Sequence, residues 1–154
     1  MPETNQMSME EALKFFAQRV PVEAPNTFSG QMQPELIHCD EAAKTLTFAF
    51  ETQSWMRNPS GAIHGGVIAE AISMSINALA WYCAGMKQNP CVSLQLCYPR
   101  PGLMGQRIYV QASAVHAGKN MAYVSARAWQ EGRENKPFAT GTGVHYTAAA
   151  VEED

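Results

Sequence analysis

Apolar residues between Gly66 and Gly85 recur at helical spacing, whereas beyond Asn89 they alternate with polar ones at the two-residue period of a strand. Wound at about 100° per residue, Ile68, Ile76 and Leu79 fall within roughly 40° of Ile72, which predicts one long helix with a stripe that packs on a sheet. Gly85 is its expected C-terminal stop. Ser73 falls on the flank of the stripe, and Glu70 nearly opposite it, toward solvent or a neighbouring subunit. After Asn89-Pro90, CVSLQLCYPRP predicts a strand with Val92, Leu94, Leu96 and Tyr98 on one side and Cys91, Ser93, Gln95 and Cys97 on the other. Two long strands then flank a turn at Gly118-Lys119-Asn120, and KPFATGTGVHYTAAA supplies a last strand. Upstream, Ser8 with Glu11 is a capping box that opens a short helix over about 8–20. Pro21, Pro25, Asn26 and Gly30 predict an irregular connection, after which MQPELIHCD and KTLTFAFET form a hairpin about Asp40 to Lys44. The order is helix, two strands, buried helix, four strands, an α+β chain. Small residues such as Ala112, Ala126, Gly141 and Gly143 recur through the later strands, as a sheet curving closely around a helix requires.

Composition narrows the function classes. The 154 residues suit one domain over 1–154, with a tail expected to fray from about 148 to 154. A net charge of −3 without a basic run gives no reason to expect nucleic acid or an anionic membrane as a partner. The acidic, amphipathic start lacks the basic opening and apolar run of a signal peptide, and no stretch is expected to approach membrane-spanning length; the chain is expected to be cytoplasmic. Cys39, Cys83, Cys91 and Cys97 show no CxxC spacing and read as reduced apolar residues. Neither they nor His38, His64, His116 and His145 have metal-ligand spacing, so no metal or cofactor is expected.

The chemistry gathers at NPSGAIHGGVIAEA. Pro59, Gly61, Gly65 and Gly66 forbid regular structure before the helix, and Gly66 stands where first-turn N–H groups are expected to point out unpaired. Such donors, with the positive end of the helix dipole, hold a carbonyl oxygen or an anion. His64 either ties the turn by hydrogen bonds or carries a proton.

A long helix wrapped by an antiparallel sheet resembles the hotdog fold. Asn58, His64-Gly65-Gly66, Tyr98-Pro99-Arg100-Pro101, Gly105 and Gly118-Lys119, in that order, resemble the phenylacetate-degradation type of acyl-CoA thioesterase over roughly Leu36 to Tyr146. That resemblance implies an acyl-CoA substrate whose thioester carbonyl sits between the Asn58 side chain and the Gly65 N–H. It implies a homodimer or dimer of dimers with sites across a two-fold interface. Substrate phosphates are expected near Arg100 and Lys119.

The chain departs from that family at two positions. The carboxylate expected nine residues after the histidine is Ser73, a poor proton acceptor with no base beside it in sequence. Glu70 is the one acid of the helix, a turn earlier and about 60° away around the axis. The expected mechanism therefore sets a water between the Asn58 and Gly65 donors and Glu70 as base, with Ser73 orienting it. Cys91 takes a position where relatives often carry a hydroxyl; a cysteine nucleophile is disfavoured because no histidine neighbours it in sequence. These departures keep open an acyl-CoA binder without hydrolysis. A hydroxyacyl thioester dehydratase ranks lower, because WMRNPSGAI has no histidine where those enzymes resemble one another.

Overall fold

The structure, a computed structural model, describes residues 7–147, so the tail expected to fray lies outside the described residues. Helix α1 (Met9–Glu23) begins at the Ser8 capping box and runs through Pro21, further than the spacing suggested. The segment expected to be irregular also holds a short helix, α2 (Phe28–Met32), because Thr27 Oγ1 accepts the Gly30 N–H at 3.1 Å and caps it.

Strands β1 (Glu35–Asp40) and β2 (Thr45–Phe50) form the expected antiparallel hairpin. The central helix α3 (Gly65–Cys83) follows, then β3 (Cys91–Cys97), β4 (Ile108–Ala117), β5 (Met121–Gln130) and β6 (Ala139–Tyr146). Every neighbour in the order β1-β2-β4-β5-β6-β3 is antiparallel. β3 therefore leaves α3 and crosses to the far edge of the sheet, where it pairs with β6 alone.

α3 packs against β2, β3, β4, β5 and β6, so the sheet wraps it. Ile68, Ile72, Ile76 and Leu79 are buried, each contributing about 1.5–3 kcal/mol through removal from water. By length and composition α3 is apolar enough to cross a membrane, which corrects the expectation that no stretch approaches that length; inside this fold its apolar faces are covered by protein. The helix ends after Cys83 in a Schellman motif. Gly85, at φ +71°, gives its N–H to Tyr82 O at 3.0 Å, and the Met86 N–H reaches Trp81 O at 2.8 Å. Close approach of helix to sheet falls on β6: a Cβ at Gly143 would stand 2.6 Å from Ile76 Cγ2, and one at Gly141 would stand 2.7 Å from Ile72 Cγ2.

α1 closes the remaining side. Leu13 is fully buried, and the Phe16 ring lies 6.4 Å from Phe48 and 5.7 Å from Trp81, joining α1 to both sheet and central helix.

Candidate active site

The loop before α3 is fastened by its own backbone. His64 N donates to Met56 O at 2.7 Å, and Asn58 N donates to Ala62 O at 2.8 Å. Asn58 Oδ1 accepts from the Ala62 N–H and the Ser60 hydroxyl, both at 3.0 Å. Its amide oxygen is thereby spent on holding the loop, and the Nδ2 hydrogens remain to donate outward.

The first turn of α3 is less open than its glycines suggested. His64 is the N-cap: its carbonyl accepts from Val67 N at 2.9 Å and Ile68 N at 3.2 Å. Its Nδ1 accepts the Gly66 N–H at 2.9 Å. Gly66 is therefore a capped donor and not the unpaired one expected. An accepting Nδ1 leaves the proton of the neutral ring on Nε2, so His64 is engaged in tying the turn. Among the described residues nothing accepts from the Gly65 N–H, and it is the one donor of this turn left open. Tyr98, just past β3, donates its hydroxyl to Gly65 O at 3.0 Å and lays its ring 3.8 Å from where a Gly65 Cβ would stand. Burial pushes the Tyr98 phenol up, which keeps it a donor.

A second group of polar residues lines a cavity of about 850 Å³ between α1 and α3. Glu70, Ser73 and Asn77 come from α3, Asn89 from the loop before β3, Cys91 from the first position of β3, and His145 from β6. Phe16, Val20, Met74 and Trp81 supply its apolar wall. Glu70 is half-buried at this cavity, and its Oε1 accepts a hydrogen bond from the Ser29 hydroxyl of α2.

Cys91 reaches this cavity because β3 is bulged. The ladder to β6 pairs Cys91 with His145 and then Ser93 with Val144, so Val92 is the extra residue and lies 49% exposed. The bulge turns Cys91 to the side of Leu94 and Leu96, correcting the expected alternation that set them on opposite faces. Three residues not expected to matter are joined here. His145, 2% exposed, contacts Asn89 O through Nδ1 at 2.7 Å, while Asn89 Nδ2 donates to Asn77 Oδ1 at 3.0 Å and Asn77 O at 3.2 Å. Asn89 was legible only as a boundary before Pro90, and His145 only as a residue of the last strand and one of four histidines without metal-ligand spacing.

None of Asn58, His64, Gly65 and Gly66 lines this cavity. The residues around the start of α3 and those that line the cavity are thus two different sets. Arg100 and Lys119 are also apart. Arg100 donates to Pro137 O at 2.8 Å and borders a cavity of about 810 Å³ with Arg133 and Lys136, while Lys119 is exposed in the β4–β5 turn. Among the described residues no group of three or more His, Cys, Asp or Glu is placed to hold a metal, and Cys39, Cys83, Cys91 and Cys97 are unpaired thiols.

An antiparallel sheet wrapped on one long helix is the hotdog arrangement, and similar proteins share it. The chain belongs to the thioesterase superfamily, which residues 60–136 match. It is 26% identical over 116 residues to 1,4-dihydroxy-2-naphthoyl-CoA thioesterase 2 of Arabidopsis thaliana, covering 68% of this chain and 73% of that protein. A phenylacetic acid degradation-related protein of Ralstonia eutropha superposes with a TM-score of 0.70 at 22% identity, over 86% of this chain and 98% of that one. Thioesterase superfamily member 2 of zebrafish does so with a TM-score of 0.77 at 16% identity, over 93% and 100%. At such identities these two likenesses bear on the fold.

Proposed function

We propose that this protein hydrolyses acyl-coenzyme A thioesters, binding the thioester carbonyl at the Gly65 N–H and Asn58 Nδ2. The observation that carries the reading is the open Gly65 N–H, left free where His64 caps its neighbour. A donor fixed by a helix stabilises the negative charge that develops on the oxygen as the carbonyl is attacked, and it does so without reorganising. The helix dipole adds to it.

The attacking side is the cavity wall around Ser73, supplied by a second copy of the chain. Gly65 and Ser73 are eight residues apart, or about 12 Å along one helix axis, too far to meet at one carbonyl carbon. A homodimer or dimer of dimers that sets one copy's helix start against the other's cavity brings them together. The phosphates of coenzyme A fit Arg100, Arg133 and Lys136 better than Lys119, because three cations outnumber the one carboxylate, Glu134, on one concave surface. We assign Glu70 to holding α2 through Ser29, and Ser73 to orienting the acyl group or a water.

Thiol release from benzoyl-CoA and octanoyl-CoA tests the reading in Asn58→Asp. The carboxylate still accepts from Ala62 and Ser60 but cannot donate, so turnover should fall about 10²- to 10³-fold with the unfolding midpoint retained. Unchanged turnover removes Asn58 from the site. A native protein that binds both thioesters and cleaves neither is the acyl-CoA binder.

A further inference from the structure

Ser73 leaves the cavity without the carboxylate that the resemblance implies at that position, yet two groups of complementary chemistry face each other across a ladder nearby. Cys91 and His145 are directly opposed partners on β3 and β6, which sets their Cβ atoms roughly 5 Å apart on one face. His145 is nine-tenths buried and more. Its Nδ1 is 2.7 Å from Asn89 O, an acceptor that requires the proton on Nδ1; the Asn89 amide at 3.3 Å is the weaker contact and already donates to Asn77. Nε2 is then the lone-pair nitrogen, it has no partner among the described residues, and the cavity that His145 lines is where it is left to act. The Cys91 thiol stands at the same cavity and rests on Ser93 O at 3.5 Å, a weak contact that a rotation about χ1 releases. Cys97 on the same strand has no such neighbour, being paired with Thr140.

We infer that Cys91 is the nucleophile and His145 its base, oriented by Asn89, so that hydrolysis passes through an acyl group carried on the Cys91 sulfur. The inference rests on the acyl-CoA reading above. The Cys91 S–H proton passes to His145 Nε2 as the sulfur attacks the thioester carbon. The tetrahedral oxyanion collapses, the bond to the coenzyme A sulfur breaks, and that thiolate takes the proton back from His145. A water then gives its proton to His145 and attacks the acyl-Cys91 thioester. The Cys91 sulfur leaves and is reprotonated, and the acid is released. Exchange of one thioester for another is nearly balanced in energy, so the route needs no co-reactant besides water. A thiol attacks better than the Ser73 hydroxyl, which has no base of its own.

Acid-quenched protein mixed with octanoyl-CoA, followed by intact mass and peptide mapping, tests this. An octanoyl adduct on Cys91 is expected, absent in Cys91→Ala, with turnover down roughly a hundredfold in that variant and in His145→Gln. His145 is buried, so a second readout uses the native protein and needs no substitution there: iodoacetamide should alkylate Cys91 faster than Cys97. Equal alkylation of the two thiols overturns the pairing. Full turnover in Cys91→Ala without an adduct also overturns it, while leaving acyl-CoA hydrolysis in place. An adduct on Cys91 in a protein that releases no acid supports the pairing and overturns the hydrolase reading instead.

Discussion

His64 Nδ1 accepts the Gly66 N–H at 2.9 Å, so the residue that starts α3 also decides which of its donors stays open. His64→Ala uncaps Gly66 and should cost about 1 kcal/mol of stability, and His64→Asn, a good cap, should restore most of it. Urea unfolding checks both. An equal loss in the two variants would mean that the capping bond contributes little.

The contact of Gly143 with Ile76 sets how closely β6 can approach the helix. Gly143→Ala places a methyl group against Ile76 Cγ2 and should destabilise by about 1–3 kcal/mol. Ile76→Val in that background leaves Cγ2 but gives the side chain room to shift, so it should recover part of the loss. Two losses that simply add would show that the strain is not relieved at this pair.

Glu70→Gln keeps an oxygen that accepts from Ser29 but abolishes a proton acceptor. Turnover should stay within about tenfold of native if Glu70 acts by holding α2, and Ser29→Ala should then have the larger effect on stability. A fall of two or more orders of magnitude in Glu70→Gln alone would return the base role to Glu70.

Tyr82 gives its hydroxyl to Glu41 Oε1 at 2.6 Å; burial first and this bond second push its phenol up to about 12. The folded chain therefore holds the proton longer than the unfolded one. The contribution to stability is complete below the ordinary tyrosine value near 10 and is lost as pH rises to about 12. Ultraviolet titration should show that Tyr82→Phe removes the latest tyrosinate step, leaving the smaller upward shift of Tyr98 in place. A late step that survives in the variant belongs to another tyrosine.

Arg133→Ala should raise the KM for an acyl-CoA, and more so at low ionic strength, whereas Lys119→Ala should not. The reverse pattern would place the phosphates at the β4–β5 turn.

What the sequence determined is what local pattern controls. The 3.6-residue spacing of Ile68, Ile72 and Ile76 shows which face of α3 is buried, and paired segments with turn residues between them show the hairpins. The glycines before α3 announce a turn, though the N–H it leaves open belongs to Gly65 and not to Gly66. Tertiary structure decided the rest, because it depends on pairing between distant segments. A period-two reading assumes an unbroken ladder; the bulge at Val92 reverses the face of Cys91 and sets it opposite His145, which no spacing in the chain predicts. Ser29 claims Glu70 only once Thr27 has capped α2 and the short helix lies beside α3. The open donors and the cavity are separated for a reason equally invisible in sequence. Helical rise carries Ser73 away from Gly65, so neighbours in one helix end in different places.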